Sequence, residues 1–521
     1  MEQMVVQAGT LELPTVFVSA NELRATLPSD LLSNPGTVEI RVVTGMSVSV
    51  TQTFTIIATG EVSGTSNPQV AKYSIVSPRD AQVRIEFGLD TNYGLQTWAR
   101  PTAHDTGQVD ILVAGMLPFS TYHMRAVVQF SDGATHFDSD HTFTTGGPAP
   151  DKIPPMTANT VDPSATVGGV QLFDLTGNAE GQLRAFITDL EGSVIWYFNG
   201  NVDGFPFPIR FLPNGNFLIV DGTGLREFNL AGDTMREITP AQVNQALIDK
   251  GMEPVADNFH HDAIMLPNGH LVILTSYTKN IDGTDFLGDG VVDLDEDLSP
   301  VWEWSSFDHL DTGRQVISGP EDWTHGNAVV YSPADRNLLV SLRHQSWVLK
   351  IDYQDGVGTG NVLWRLGRDG DFTLSEGAPE KWQYAQHYPF IVDDQMVFYR
   401  LAMFDNGVAR VMDDSGTLCG DSGAPACYSR AVIFQIDEAM QTASVAWEDV
   451  FPFFASIIGS IQVFDNGNVV WDAGIINGER RAIIREVTQE QPPQTVWELE
   501  VTGQLAYRSL RLPSLYPGVQ W

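Results

Sequence analysis

Short apolar runs rich in Val, Ile, Phe and Trp alternate along most of the chain with Asn-Gly, Asp-Gly and Pro-containing turns. This is the pattern of antiparallel strands joined by tight connections. Helical periodicity shows once, in PAQVNQALIDKG at 240–251, where Pro240 suits a first helical turn and Gly251 a stop. The expected fold class is therefore all-β. From residue 157 onward the pattern repeats. A strand with a central Trp or its equivalent recurs at Trp196, Arg236, Trp302, Trp364, Trp447 and Trp497, and a turn of one type recurs around Asn214, Asn268, Asp335, Asp393 and Asn466. Six such units of about four strands each predict a six-bladed β-propeller over 157–521. The segment AYRSLRLPSLYP at 506–517 is expected to supply a last strand or cover that ties the ring shut.

Two β-sandwich regions precede the propeller. Residues 1–62, with VSANELRATLPSDLLSNPGTVEIRVVTG and a hairpin entry at 35–38, resemble the later strands of an IPT/TIG immunoglobulin-like domain, its first strands being either lost, replaced by 4–18 or poorly matched. Residues 63–147, with LPFSTYHMRA and a closing FTTG, resemble a fibronectin type III sandwich in which Tyr122 would form the tyrosine corner. The Pro-rich GGPAPDKIPP makes 148–156 a stiff linker.

Charge narrows the partners. In 521 residues, 65 Asp and Glu face 29 Lys and Arg, a formal charge of −36. Phosphate backbones and anionic lipid would be repelled, so no nucleic-acid partner and no membrane insertion are expected. The longest apolar stretch, 451–461, is shorter than the ~20 residues of a membrane span, and the chain is expected to be soluble. Residues 1–10 lack the basic start and apolar middle of an export signal, which is expected to have been removed or never present. The two cysteines, Cys419 and Cys427, share the loop LCGDSGAPACYSR. A local disulfide there would imply an oxidising compartment; two free thiols are the alternative.

Aligning the units on their turns brings His260, His325 and His387 to the heads of three consecutive units, where first strands line a propeller channel. Alternation along a strand puts His260 with Asp262, and His325 with Asn327, on one face. His261 is the alternative to His260. Arg343, on the strand after His325, suits a bidentate anion clamp in a chain so poor in cations. His344 is expected to face away as packing. Phe259, Trp323 and Tyr388 are candidate aromatic walls by adjacency. Asp293, Asp295 and Asp297 are expected to form a solvated face and not a calcium loop.

DWTHGN at 322–327, SLRHQS at 341–346, VLWRLG at 362–367, AQHYP at 385–389, FDNG at 404–407 and YSRAV at 428–432 resemble, in order, the motifs of bacterial arylsulfate sulfotransferases. YRSLRLPSLYP resembles the C-terminal signature of the wider group. The resemblance covers 156–521 and implies a six-bladed propeller. It also implies an enzyme that moves a sulfuryl group from a phenolic sulfate donor to a phenolic acceptor. Transfer would be ping-pong through a sulfohistidine, with no PAPS, no cofactor and no metal, in a periplasmic or secreted protein, and the resemblance leaves room for a homodimer. By motif, His387 would be the nucleophile, with His325, Arg343 and His260 completing the catalytic set. Asn327, His261 and Tyr388 would contact substrate. Ala328, Tyr388 and the doubled front end depart from that family's pattern. Two other readings stay open. One is a metal-dependent hydrolase of the lactonase or arylesterase kind with Asp262 and Asn327 as ligands; the other is a secreted binding propeller without catalysis.

Overall fold

The computed structural model describes residues 4–28, 31, 36–57, 59–176, 183–200, 208–221 and 223–521. The chain divides into two compact units, Met1–Gly147 and Pro148–Trp521.

In the first unit, strands Met4–Ala8 and Gln52–Ile56 both pair antiparallel with Gly36–Thr44, over a small core of Val6, Ala8 and Leu13. Of the hairpin entry expected at 35–38, Pro35 lies outside the described residues and Gly36 opens a strand. Further along, Ala71–Val76 pairs with Glu61–Gly64 and Gln108–Val113 in one sheet. Ala81–Gly88, Thr121–Phe130 and His141–Thr144 belong to another. The Tyr122 hydroxyl accepts the Leu117 N–H at 3.0 Å, which ties the start of its strand to the preceding turn.

The second unit is a six-bladed β-propeller whose sheets are antiparallel except where the short strand Thr373–Leu374 runs parallel to Thr442–Val450. Blades 2 to 6 open on inner strands Arg210–Phe211, Asn258–Met265, Gly326–Ser332, His387–Ile391 and Ser460–Val463. Each Asn or Asp turn read from the sequence joins an inner strand to the second strand of its blade. Blade 1 is the exception, because its innermost strand is Leu505–Leu512, paired with Val170–Thr176. At the other seam Met156–Thr160 pairs with the outermost strand of blade 6, Thr495–Thr502. The ring is thus closed by hydrogen bonds at two places, and the 506–517 segment supplies the expected last strand.

The repeated Trp has a physical cause. Trp196, Trp302 and Trp497 lie on outer strands and donate their indole N–H to Leu230, Gly358 and Leu190, carbonyls at equivalent turns of the following blade. Each ring therefore fills the space between neighbouring sheets while its single polar atom is satisfied. The expected helix is present at Pro240–Asp249. Thr239 and Gln242 form its capping box, and it buries Val243 and Leu247. The acidic run differs from expectation. Asp293 is fully buried, with the Tyr353 hydroxyl at 2.6 Å and His270 Nδ1 at 3.1 Å, so it is a core hydrogen-bonding group and not part of a solvated face.

Candidate active site

Three inner strands, those of blades 3, 4 and 5, carry the histidines, and each is irregular where they sit. Register shifts lie between Phe259 and Ala263, between Gly326 and Ala328, and between His387 and Phe390. His261, His325 and Tyr388 adopt left-handed φ values of 56°, 50° and 47°. Such conformations cost non-glycine residues roughly 1–3 kcal/mol and persist only where surrounding contacts over-determine them. The bulges also cancel strict alternation, so His260 does not share a face with Asp262. Its ring turns to Asp289, whereas Asp262 turns to two arginines.

His387 is 3% exposed, and its Nδ1 lies 2.7 Å from Asn406 Oδ1. Asn406 cannot present its amide the other way round, because its Nδ2 donates to the carbonyls of Ala455 and Ile458 at 2.8 and 2.9 Å. Oδ1 must accept, so His387 carries its proton on Nδ1 and keeps a lone pair on Nε2. Burial, then the Arg343 guanidinium, push the His387 pKa well below its ordinary value, against the opposing bond from Asn406. The ring is neutral at neutral pH.

Arg343 is 8% exposed. Its Nη1 donates to His344 Nε2 at 2.7 Å and its Nη2 to the Ser456 carbonyl at 3.2 Å. Among the described residues, no carboxylate lies within ion-pair distance of it. His344, expected as packing on another face, belongs to the site. Its Nδ1 donates to the Asp322 carbonyl at 2.6 Å, which fixes the tautomer that receives Arg343. The Asp322 carboxylate takes His325 Nδ1 at 2.6 Å, and the rings of His325 and His344 are 4.5 Å apart. Burial opposes ionisation of Asp322, but His325 holds its pKa below the ordinary value.

Both His260 and His261 reach this cluster. His261 has its ring 4.7 Å from that of His325 and 5.9 Å from that of Tyr507. His260 stands behind it, Nδ1 to Nδ1 at 2.7 Å, with Nε2 3.0 Å from Asp289 Oδ1. Burial lowers the His260 pKa, but Asp289 more than compensates and the net shift is upward. Burial and the neighbouring imidazoles take His261 well below the ordinary value. The two Nδ1 atoms share one proton between them. Both rings, with His325, border a cavity of about 260 Å³.

Asn327 is fully buried and donates to the Gln386 carbonyl at 2.8 Å, which fixes the residue preceding His387. Tyr388 turns elsewhere. Its hydroxyl accepts Arg210 Nη1 at 2.9 Å, and Arg508 lies 4.2 Å over its ring. The adjacent aromatics do not act as walls. Trp323 is buried, bonded to the Arg314 carbonyl, and Phe259 packs among core residues between blades 2 and 3. Asp262, the carboxylate of the metal-dependent alternative, accepts Arg210 at 3.0 and 2.7 Å and Arg508 at 3.1 Å. Two guanidinium charges on one carboxylate leave it unsuited to a cation. Among the described residues, the group whose ligand atoms could take a metal is instead Asp322, His325 and His344, which lie within 4.8 Å of one another.

Cys419 and Cys427 form a disulfide. It closes the loop that follows Asn406, and Cys419 Sγ contacts the Gly407 carbonyl at 3.5 Å. Sequence reasoning did not single out Asp322, Asn406, Tyr507 or Arg508, and it assigned His344 to packing. Each nevertheless stands inside a quoted motif: DWTHGN, SLRHQS, FDNG and, for Tyr507 and Arg508, YRSLRLP.

Fold and cluster together define a class, six-bladed propellers with imidazoles and an arginine gathered at the heads of the inner strands. The chain belongs to the arylsulfotransferase (ASST) family, whose profile matches residues 157–508. It is 23% identical over 372 residues to the arylsulfate sulfotransferase AssT of Escherichia coli O6:H1, covering 54% of this chain and 58% of that one. It is 22% identical over 369 residues to the AssT of Lelliottia amnigena, covering 56% and 58%. The chain thus spans less than two thirds of the length of these relatives. A solved structure of a protein of unknown function from Bacteroides caccae aligns with 66% of this chain and 98% of its own, at 10% identity and a TM-score of 0.40.

Proposed function

We propose that the protein is an aryl sulfotransferase that moves a sulfuryl group from a phenolic sulfate to a phenol through a sulfohistidine at His387, without PAPS. Family membership supports the reaction class. The observation that carries the mechanism is a buried, neutral His387 whose Nδ1 proton is committed to Asn406, which leaves Nε2 as nucleophile. Arg343, with no carboxylate partner among the described residues, and the second N–H of Asn327 are suited to hold sulfuryl oxygens. Their charge and dipoles are in place before the reaction, as a loose transition state requires.

In the first half-reaction, Nε2 attacks sulfur. The N–S bond forms as the aryl O–S bond breaks, and the electron pair leaves on the aryloxide oxygen. His325, entering this half as an imidazolium with its Nδ1–H held by Asp322, gives its Nε2 proton to that oxygen and is left neutral. In the second half, the acceptor oxygen attacks sulfur and its proton passes to His325 Nε2. The N–S electron pair returns to His387. The disulfide supports a periplasmic or secreted location, where such bonds persist. We also read the first unit as IPT/TIG-like and fibronectin type III-like sandwiches.

The test is intact mass after incubation with 4-nitrophenyl sulfate alone. An added sulfuryl group that disappears in His387→Ala is expected. A wild-type protein that gains no mass while releasing nitrophenol would overturn the covalent step, and one that does neither would leave a binding propeller.

A further inference from the structure

We infer that the loop at 454–459, which joins the outermost strand of blade 5 to the innermost strand of blade 6, sets the geometry of both His387 and Arg343, and that Ser429 is the positioning residue that holds this loop. The inference rests on the sulfotransferase reading and adds what keeps its nucleophile and its anion clamp in place.

Among the described residues, three carbonyls of this loop turn to the site. Those of Ala455 and Ile458 take the Asn406 amide nitrogen, and that of Ser456 takes Arg343 Nη2 at 3.2 Å. A carbonyl oxygen accepts and cannot donate, so the pair on Asn406 fixes which way its amide points and, through it, the proton on His387 Nδ1. The carbonyls are also neutral. A carboxylate in the place of the Ser456 carbonyl would orient Arg343 and cancel its charge. A peptide dipole orients the guanidinium and leaves that charge for a sulfuryl oxygen.

The loop needs support to keep this shape. Ile458 has a left-handed φ of 55°, which is unfavourable for a β-branched residue. Gly459 has a φ of 128°, and a Cβ there would lie 2.7 Å from the Phe404 ring and 2.8 Å from the Asp472 carbonyl oxygen. Among the described residues the loop is anchored at three points. The Phe454 N–H donates to Asn477 Oδ1 at 2.9 Å, and the Phe454 carbonyl accepts the Asn477 N–H at 2.8 Å. The Gly459 N–H reaches the Tyr507 carbonyl at 3.2 Å. Between these ends, the fully buried Ser429 hydroxyl accepts the Ala455 N–H at 2.8 Å and donates to the Asn406 carbonyl at 2.8 Å. Ser429 thus ties the backbone of Asn406 to the loop that receives the Asn406 side chain. Without its hydroxyl, a buried N–H and a buried carbonyl lose their partners, and the loop can relax away from the strained turn at Ile458.

The test reads the His387 ring directly, by two-bond proton–nitrogen correlation on the full chain carrying ¹⁵N-histidine, with the His387 signals identified as those that vanish in His387→Ala. The wild type is expected to hold its proton on Nδ1, and Ser429→Ala to show both tautomers. Ser429→Thr, which keeps the hydroxyl, should restore the single form. Inorganic sulfate titrated into the same samples should bind several-fold more weakly to Ser429→Ala, because Arg343 is loosened. With 4-nitrophenyl sulfate as donor, kcat in Ser429→Ala should fall at least about 10-fold. A single Nδ1 tautomer in Ser429→Ala, or sulfate binding equal to that of the wild type, would overturn the inference while leaving the transferase reading intact. A wild type that transfers no sulfuryl group would overturn the transferase reading, and the tautomer spectra would still decide the role of the loop. If Ser429→Ala does not fold, Asn477→Ala, at the exposed end of the loop, takes its place with the same expected and overturning results.

Discussion

Asn406 faces His387 from the end of the neighbouring strand, Oδ1 to Nδ1 at 2.7 Å, with its own amide nitrogen locked on two buried carbonyls. A neutral amide in this place directs the imidazole proton without drawing it off. In the proposed mechanism it would also leave a sulfated ring positively charged and so ready to release its group. Asn406→Ala is expected to lower kcat by at least ~10²-fold, because a misplaced proton blocks the nucleophile. Asn406→Asp should do something a merely structural change does not. A carboxylate there would favour the imidazolium, so the acid limb of the kcat/KM profile should move to higher pH. An unmoved limb would count against the tautomer argument.

Stability should depend on pH in two opposed ways. His387 and His261 have folded pKa values below the ordinary 6.5, so the unfolded chain binds more protons, and stability falls as pH drops below about 6.5. Asp472 acts in the other sense. It is fully buried, neither oxygen has a hydrogen-bond partner among the described residues, and burial followed by Asp174 raises its pKa well above 3.8. The folded state then holds the proton more tightly, and the advantage present at acid pH is lost as pH rises through the folded pKa. Asp472→Asn is expected to stabilise by about 1–3 kcal/mol at pH 7.5 and by little at pH 4. Thermal unfolding at both pH values checks this, and a lower melting temperature at pH 7.5 would show that the carboxylate has a stabilising role.

Metal should inhibit and not activate. Asp322, His325 and His344 have ligand atoms within 4.8 Å, yet each is engaged in the hydrogen bonds that orient His325 and Arg343. Transfer between phenols is expected to survive EDTA and to be lost, reversibly, in micromolar zinc. Activity abolished by EDTA and restored by zinc would favour the hydrolytic propeller.

Much of this protein follows from local sequence. The strand and turn pattern specified six four-stranded units because a half-buried strand must alternate and a tight hairpin must carry Asn, Asp or Gly. The outer-strand Trp recurs because each blade needs a large ring against the next. The helix at 240–249 was legible from Pro240 and its period. His260, His325 and His387 were legible because a repeat places equal positions in equal places, and Arg343 because it follows His325 on the next strand; the structure brings the four near one another.

What local pattern could not supply was side-chain direction at the site. Bulges and left-handed residues at His261, His325 and Tyr388 rotate neighbours off the alternating faces, so Asp262 went to Arg210 and Arg508 while His344 joined Arg343. Those pairings join residues up to 246 positions apart. They exist because a buried charge or imidazole must find a partner wherever the ring closure brings one. The sequence by itself determined the strands, the repeat and the kinds of group available; only tertiary packing, through desolvation and hydrogen-bond satisfaction, decided which histidine keeps a free lone pair.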